Sequence, residues 1–424
     1  MEIFSPVRFE QNIFIEKFRI QIAFGRTFFR KIVKSIYPDF FPVFSENLRG
    51  LRSDSGISGK LRKKPMRLYY LDNLKSIALL LGIVFHSSIV YSRDVGYVIK
   101  SDQTSYFYDW IVHFIHSFRM PLFFYLSGFF SELLTLKKNG RIFLRERFKK
   151  LTLPFLFGVL CLAPVQVYFE IQPTGEDFGY LDFIYTKFTF SHVWFLYYLF
   201  YYFLIFSITR NLLLPWIQNS EIEFLKILFL FFSLCIPSIF TGKDFRFLGF
   251  SPFYIFYYYL FFLFGSMDYH KSDFIRLPYI YRFSFLLFPI YLYLKKIDPY
   301  YYPFRNSPDL ISLRISHLMI ESILSWTFIK ISIFLSYKYL SKTDTLWKFL
   351  STAGLGIYLL HNPISIALSY FLKELHIERD TAFVIQVISV TILSFLIFIS
   401  LDRIPPLRKL IGSKGFQLSR RSET

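Results

Sequence analysis

The chain has 424 residues, of which 54% are hydrophobic and 22% aromatic, and its formal net charge at neutral pH is +19. This composition leaves too little polar surface to coat a soluble globule of that length, so it excludes a soluble enzyme and indicates a membrane protein. The Lys and Arg side chains concentrate between the apolar runs and at both ends of the chain. That distribution follows the positive-inside bias of membrane proteins and argues against a nucleic-acid partner.

The N-terminal 66 residues differ from the rest of the chain. A basic, aromatic stretch, "FIEKFRIQIAFGRTFFRKIVKSIY", predicts an interfacial amphipathic helix, and the polar stretch "RSDSGISGKLRKK" predicts a flexible linker. No secretory signal precedes the first apolar run, so we expect that run to insert the chain. An alternative hypothesis is that translation starts at Met66, so that the preceding residues are not translated.

Ten apolar runs are long enough to cross a bilayer, since about 20 helical residues span a hydrocarbon core of roughly 30 Å. Backbone hydrogen bonds in lipid must be satisfied within each segment, so the runs predict helices. The predicted fold is therefore all-α, a polytopic transmembrane bundle of about ten spans. These spans are 70–91, 106–134, 151–169, 192–213, 223–241, 247–267, 278–295, 313–337, 349–371 and 382–402.

The loop from Lys137 to Lys150 and both ends of the chain are strongly basic, whereas the alternate connections are mixed or acidic. Because cytoplasmic loops carry the excess of Lys and Arg, this pattern predicts that both termini are cytoplasmic. The predicted organisation is a basic N-terminal tail over 1–66, a membrane domain over 67–405 and a basic cytoplasmic tail over 406–424.

The two cysteines, Cys161 and Cys235, both lie within apolar runs. Their number and placement are not typical of a disulfide framework or a zinc site. We expect both side chains to fill the hydrophobic core, and we expect no metal.

The first predicted span contains "LDNLKSIALLLGIVFHSS", in which three ionisable side chains interrupt an apolar run. Lys75 and His86 are eleven positions apart, which places them on one side of a helix and roughly 16 Å apart along its axis. Asp72 lies one turn before Lys75. Ionisable groups at membrane depth are costly and mark functional sites, and imidazole is the usual general base near neutral pH. We predict that His86 is such a base; the alternatives are a structural role for His86 and interfacial positions for Asp72 and Lys75.

Later spans carry more ionisable residues. His113, His116 and Arg119 recur at intervals of three in the second span and so follow one side of a helix. His317 and Glu321 form an i, i+4 pair in the eighth span. Buried charge of this amount predicts an aqueous or substrate-filled cavity between the helices, although a structural hydrogen bond is the alternative for each single residue. The predicted lining of this cavity is His113, His116, His317, Glu321 and His361.

The basic loop before the third span contains Arg145, Arg147 and Lys150. Such runs commonly act as topology signals. The competing hypothesis is that these cations hold a phosphate-rich cytosolic ligand, for which the planar donor fork of Arg is well suited.

Five stretches of the chain together resemble the acyltransferase-3 family of integral membrane acyltransferases. The resemblance runs in order from Arg67 to Pro405, and two of the stretches look most like the family branch typified by glucan biosynthesis protein C, which succinylates periplasmic glucans. The five stretches are Lys75-x10-His86, "FRMPLFFYLSGFF", Arg147-x-x-Lys150 ahead of Pro154, "HVWFLYYLFYY" and "GIYLLHNPI".

This resemblance implies an inner-membrane enzyme that takes an acyl group from cytosolic acyl-CoA and delivers it to a hydroxyl of an extracytoplasmic glycan. It implies a catalytic role for His86 and maps the family's basic residues onto Lys75, Arg147 and Lys150. Lys150 stands where the family has Arg, so bidentate phosphate binding is not expected there. The acyl group, acetyl or succinyl, and the acceptor stay open.

The residues lead to the same mechanism. A sugar hydroxyl is a poor nucleophile at neutral pH, so a base must remove its proton during attack on the thioester, and we expect His86 to do so. The negative charge that develops on the thioester oxygen needs a cation, for which Arg119 is the candidate and His113 or His116 the alternative. The expected binding residues for the donor acyl-CoA are Lys75, Arg145, Arg147 and Lys150.

Intramembrane His, Glu and Arg are equally typical of proton-coupled carriers. A transporter or flippase of a glycan or lipid-linked intermediate is therefore the second hypothesis. A carrier moves its substrate without forming an ester, whereas an acyltransferase forms one.

Overall fold

The structure of this protein is a computed structural model. It describes residues 68–175, 179–185, 187–219, 223–240, 252–271, 273–297, 308–342 and 344–415. The predicted interfacial helix and linker lie outside the described residues, as does the end of the basic C-terminal tail. All described residues belong to one compact unit, Leu68–Thr424.

The described part of the chain is helical and contains no strand apart from an isolated bridge between Ser92 and Ser105. The prediction of an all-α fold is therefore confirmed. The α-helices are α1 Tyr69–Tyr91, α2 Tyr106–Thr135, α3 Gly140–Phe157, α4 Ala163–Ile171, α5 Tyr180–Tyr185, α6 Trp194–Asn219, α7 Glu223–Phe240, α8 Pro252–Asp268, α9 Tyr279–Phe283, α10 Phe288–Ile297, α11 Pro308–Tyr339, α12 Thr345–Glu374, α13 Arg379–Arg403 and α14 Pro405–Leu410. A π-turn lies at Gly158–Leu162, and 3₁₀ turns lie at Gln172–Thr174, Ser191–Val193 and Ser284–Leu287.

Six helical segments among the described residues are long and apolar enough to cross a membrane, so the chain is a membrane protein. They correspond to the first, third, fourth, eighth, ninth and tenth predicted spans. The seventh predicted span is an unbroken helical stretch that consists of α9, a 3₁₀ turn and α10. A bundle of ten spans with cytoplasmic termini stays a prediction. The six segments are Tyr69–Tyr91, Gly140–Ile171, Ser191–Leu212, Ile315–Tyr339, Thr345–Glu374 and Arg379–Arg403.

The basic connection before the third span is helical rather than a loop. Asn139 caps α3, because its side chain accepts a hydrogen bond from the main-chain N–H of Arg141. Arg, Leu, Glu and Lys follow in the next two turns, and all four favour helix. The cations of this segment are therefore held on a regular helix that continues into a membrane-length apolar segment.

Two glycines allow α2 and α8 to cross closely. A Cβ atom at Gly128 would overlap the main-chain carbonyl of Phe262, and one at Gly265 would overlap the carbonyl of Tyr125. Small residues at such crossings let helix backbones approach within a membrane. The crossing fixes the position of α2, which carries Arg119.

Cys161 is exposed, so the prediction that it fills the core was wrong. It lies in the π-turn of a membrane-length segment, and its neighbour Leu160 is 42% exposed. The apolar face of a spanning helix meets lipid, so an apolar run does not by itself indicate burial in the protein. The side chain of Cys235 lies outside the described residues.

Two fully buried carboxylates tie the helices together at one end of the bundle. Glu132 at the end of α2 accepts two hydrogen bonds from Arg210, at 2.7 and 2.9 Å, and one from His270 at 2.9 Å. Asp268 at the end of α8 lies 2.5 Å from the ammonium group of Lys226. These ion pairs connect α2, α6, α7 and α8, and sequence reasoning had not singled them out.

Replacing Asp268 with alanine is expected to lower the free energy of unfolding by about 3 to 5 kcal/mol, because buried ammonium groups then lose their carboxylate. The two lysines concerned are Lys226 and Lys330, which lies 3.6 Å from Asp268. Thermal unfolding in detergent measures the change. The control is Glu146→Gln, which removes an exposed pair with Lys138 and should leave stability unchanged. Equal melting temperatures for the two variants would contradict the prediction.

Candidate active site

The predicted base on α1 meets a second histidine on α12. The ring centroids of His86 and His361 lie 5.1 Å apart, and His361 is buried whereas His86 is partly exposed. The ring of His192, in the 3₁₀ turn before α6, also lies next to the ring of His361, with 5.9 Å between their centroids. We call His86, His192 and His361 the histidine cluster. It joins residues that are far apart in the sequence.

Arg119 on α2 adds a buried cation to the histidine cluster. Its guanidinium carbon lies 4.8 Å from the ring centroid of Phe85. A Cβ atom at Gly82 would lie 2.5 Å from Nη1 of Arg119 and 3.3 Å from Nε2 of His361. Gly82, one turn before His86, therefore leaves the space in which the guanidinium and the imidazole approach the backbone of α1.

Two ring nitrogens of the cluster have no hydrogen-bond partner. Nδ1 of His361 lies 3.1 and 2.8 Å from the carbonyl oxygens of Ile357 and Tyr358. If it donates to them, Nε2 carries the lone pair, and this nitrogen is buried and unpartnered, as is Nδ1 of His86. Buried polar atoms nearly always have partners, so orphaned nitrogens beside a guanidinium are typical of a reactive site rather than of a structural one.

A hydrogen-bond network holds His192 in place. Its Nε2 donates to the carbonyl of Leu359 at 2.8 Å, and its Nδ1 lies 3.3 Å from Oε1 of Gln166. The same amide oxygen accepts hydrogen bonds from Nδ2 of Asn362 at 2.8 Å and from the hydroxyl of Ser191. Gln166 lies on α4 just after the π-turn, and π-turns are frequent at functional sites. The network therefore holds the ring of His192 next to that of His361.

The remaining predicted substrate residues form a second group between α2 and α11. His116 is exposed and stacks on Phe85, with 5.7 Å between ring centroids, which places it next to the histidine cluster. His113 is close enough to interact electrostatically with His116 and His317. His317 is buried, and its Nε2 lies 4.0 Å from a carboxylate oxygen of Glu321.

Cations gather at the opposite end of α1 from His86. Lys150 on α3 interacts electrostatically with Lys75, Arg147 and Lys414. The guanidinium carbon of Arg147 lies 5.3 Å from the ring centroid of Phe203, and its Nε is buried without a hydrogen-bond partner. We call Lys75, Arg147, Lys150 and Lys414 the cation group.

The structure thus distributes the predicted residues over three places. His86, Arg119 and His361 come together in one cluster, the second group adjoins it, and the cation group lies at the far end of α1. Arg145 is exposed on α3. Among the described residues, no three His, Cys, Asp or Glu side chains are placed to hold a metal ion.

Sequence reasoning missed Gln166, Asn362 and Lys414. An amide side chain within an apolar run, as in "APVQVYFE" and "HNPI", is the signal that could have found the first two. Lys414 carries no such signal. It reaches α3 through a turn at Gly412, whose φ of +65° is a conformation that other residues rarely adopt.

Comparison with known protein families gives a match to the acyltransferase domain of the acyltransferase-3 family over residues 68–403. The chain belongs to this family. The matched region extends from before α1 through α13, so it contains the whole histidine cluster, Arg119 and all of the cation group except Lys414. Family membership, as the five stretches of sequence predicted, is confirmed. The chain is therefore a member of a family of membrane acyltransferases.

Part of this acyltransferase is similar to curated proteins named glucans biosynthesis protein C. The protein of Escherichia coli (strain SMS-3-5 / SECEC) is 37% identical over 97 residues. Those of Escherichia coli (strain K12) and Shigella dysenteriae serotype 1 (strain Sd197) are 36% identical over 97 residues. Each alignment covers 23% of this chain and 25% of the relative. No solved structure matches the chain.

Proposed function

We propose that this acyltransferase moves an acetyl or succinyl group from cytosolic acyl-CoA to a hydroxyl of an extracytoplasmic glycan at the inner membrane. The observation that carries the proposal is the meeting of two buried, unpartnered imidazole nitrogens, on His86 and His361, beside the guanidinium of Arg119. A base and a fixed cation are what attack of a hydroxyl on a thioester requires. The names of the similar proteins support a glucan as the acceptor.

In the proposed reaction, the hydroxyl oxygen bonds to the thioester carbonyl carbon while His86 accepts the hydroxyl proton. Arg119 stabilises the negative charge on the carbonyl oxygen. The carbon–sulfur bond then breaks, and the leaving thiolate takes up the proton held by His86, so that the products are an ester and free coenzyme A. The lone pair on Nε2 of His361 accepts a hydrogen bond from the protonated His86 ring.

The cation group supports a donor site at the cytoplasmic end of α1. Coenzyme A carries phosphates at its nucleotide end, and Lys and Arg side chains bind phosphate. Lys75 and His86 are roughly 16 Å apart along the helix, so an extended arm between nucleotide and thioester bridges the two places. Further contacts to the substrate are proposed for the second group, between α2 and α11, which adjoins the histidine cluster. These residues are His113, His116, His317 and Glu321.

Proteoliposomes test the proposal. Radiolabelled acetyl-CoA or succinyl-CoA is enclosed in the lumen, and the glycan fraction from the envelope of host cells that lack the gene is supplied outside. We expect alkali-labile label on the glycan, because an ester forms. Movement of label or glycan without an ester would contradict the proposal and indicate a carrier. No labelled glycan with either donor, from protein shown to be folded, would also overturn it.

Replacing Arg147 and Lys150 together with alanine is expected to raise KM for acyl-CoA by about tenfold and to change kcat little, since each lost phosphate contact removes roughly 0.5 to 1.5 kcal/mol of binding shared by ground and transition states. Initial rates at varied acyl-CoA measure this. The matched control is Arg141→Ala with Lys149→Ala, which removes the same charge from two positions of α3 that are not part of the cation group. Equal changes in KM in the two double variants would contradict the prediction and indicate that the cation group acts only as a topology signal.

A further inference from the structure

An open recess of about 60 Å³ lies at the end of α1 opposite the cation group. The loop between α1 and α2 and the ends of α12 and α13 enclose it. The polar side chains of the recess together supply both donors and acceptors of hydrogen bonds. They are Ser101, Asp102, Gln103, Ser369, Lys373 and His376.

Hydrogen bonds fix the wall that the α1–α2 loop contributes. The main-chain N–H of Ser101 donates to the carbonyl of Val90 at 3.0 Å. Oε1 of Gln103 accepts from the main-chain N–H of Arg379 at 3.0 Å, which ties the loop to the start of α13. The side chain of Asp109, buried at the start of α2, accepts from several main-chain N–H groups at the beginning of the loop. The recess is therefore a preformed feature of the fold.

The charges around the recess balance each other. Nζ of Lys373 lies 3.3 Å from a carboxylate oxygen of Asp102, and both side chains remain largely exposed. One ammonium and one carboxylate in a pair give no net attraction for an anion or a cation. Exposed polar groups of this mixed kind suit a neutral ligand rich in hydroxyl groups.

Three buried polar side chains adjoin the recess or His86: Ser369 in the lining, Gln386 on α13, and Ser87 on α1, next to His86 in the sequence. Nε2 of Gln386 on α13 donates to the hydroxyl of Ser369 at 2.7 Å, and Gln386 is fully buried. Its Oε1 has no hydrogen-bond partner, and neither has the hydroxyl of Ser87, which is also fully buried. A buried amide oxygen nearly always accepts a hydrogen bond, so Oε1 of Gln386 needs a donor such as a hydroxyl group or a water molecule.

The register of α1 against α13 places these two orphaned groups at one level. Val90 and Ala382 belong to one apolar cluster, and Ile83 and Val390 belong to another. Gln386 lies one helical turn from both Ala382 and Val390, and Ser87 lies one turn from both Ile83 and Val90, so each shares a face with its two neighbours. Val90, which lines the recess, is four residues or roughly 6 Å beyond His86 along α1.

From these observations we propose that the recess binds the carbohydrate acceptor as neutral hexose units, and that the polar layer of Ser369, Gln386 and Ser87 admits one acceptor hydroxyl towards His86. This inference rests on the proposed function, because it assumes that the reaction acylates a glycan. It adds the place at which the glycan docks and the side chains that select it. The recess lies at the opposite end of α1 from the donor site, so the acceptor does not compete with acyl-CoA.

Blocking the recess tests this inference. In a chain with Cys161→Ser and Cys235→Ser, we place a single cysteine by Lys373→Cys, inside the recess, or by Glu374→Cys, exposed one residue further on the same helix and outside the lining. A bulky maleimide that cannot cross membranes is added outside the proteoliposomes described above, and mass spectrometry measures the extent of labelling. The probe acceptor is the same envelope glycan fraction.

Labelled Lys373→Cys protein is expected to acylate glycan at least roughly tenfold more slowly than its unlabelled form, whereas labelled Glu374→Cys protein retains its rate. Binding of acyl-CoA to both proteins stays unchanged. Equal rates after equal labelling, or a cysteine at position 373 that the outside reagent cannot reach, would overturn the inference while unlabelled protein still forms ester. Absence of ester in the unlabelled protein would instead overturn the proposed function together with the inference.

Discussion

Replacing His86 with alanine is expected to lower the rate of acyl transfer by about 10²- to 10⁴-fold, which is the usual contribution of a positioned general base. The fold should survive, because Nδ1 of His86 makes no hydrogen bond that the substitution could break. Binding of acyl-CoA should also survive, since the cation group lies at the other end of α1. Initial rates of ester formation measure the loss, and thermal unfolding reports on the fold.

Ser88→Ala is the matched control for His86→Ala. Its hydroxyl is buried on the same helix two residues away and is likewise without a hydrogen-bond partner. Removing it deletes an orphaned polar group without deleting a base, so we expect near-normal turnover. Near-normal turnover of His86→Ala itself would remove the proposed base. Similar losses in the two variants would mean that packing around α1, rather than proton transfer, limits the rate.

Replacing Gly82 with alanine is expected to lower kcat by roughly 10²-fold, because displacing a catalytic group such as the Arg119 guanidinium by about 1 Å has an effect of that size. The new Cβ atom would lie 2.5 Å from Nη1 of Arg119, so the guanidinium must move away from its place beside His361. The atom displaced is the end of a flexible side chain, so the protein should still fold. KM for acyl-CoA should change little, since the cation group is untouched.

Gly96→Ala provides the comparison for Gly82→Ala, because a Cβ atom at Gly96 meets nothing within 4 Å. We expect wild-type rates from it. Arg119→Ala should lose rate to a degree similar to Gly82→Ala if both act through the same guanidinium, and combining the two substitutions should add little further loss. Full additivity of the two effects would show that Gly82 and Arg119 act separately.

The histidine cluster was partly predictable because lipid makes ionisable residues conspicuous. His86, Arg119 and His361 each stand out within an apolar run, and their types indicated base and cation chemistry. Which of them meet was not predictable. Arg119 and His361 approach the backbone of α1 in the space left by Gly82, and a glycine in an apolar helix does not by itself indicate which side chains fill that space.

The residues of the recess show the limit of sequence reasoning more sharply. Ser87 and Gln386 are ordinary polar residues in apolar helices, and a serine in a membrane helix commonly bonds to its own backbone. Only the register of α1 against α13 places them at one level and leaves their oxygens without partners. Lys373 and Asp102 likewise lie on separate elements that the fold brings to one rim.

Helical segments were predicted best where hydropathy alone decides the outcome, as in the run that becomes α13. The basic connection before the third predicted span was predicted as a loop and is helical. A helix cap at Asn139 extends α3 through charged residues that hydropathy assigns to a loop. The buried pairs of Glu132 and Asp268 also escaped prediction, because their cations come from other helices.

The proposed reaction requires that His86 receives a thioester that arrives from the end of α1 at which the cation group lies. A determined structure with a non-hydrolysable acyl-CoA analogue tests it most directly. The account predicts that the nucleotide lies on Lys75, Arg147 and Lys150, and that the carbon standing for the acyl carbonyl lies beside His86 and Arg119. An acyl end that lies elsewhere in the bundle, or an imidazole of His86 that faces lipid with the analogue bound, would contradict it.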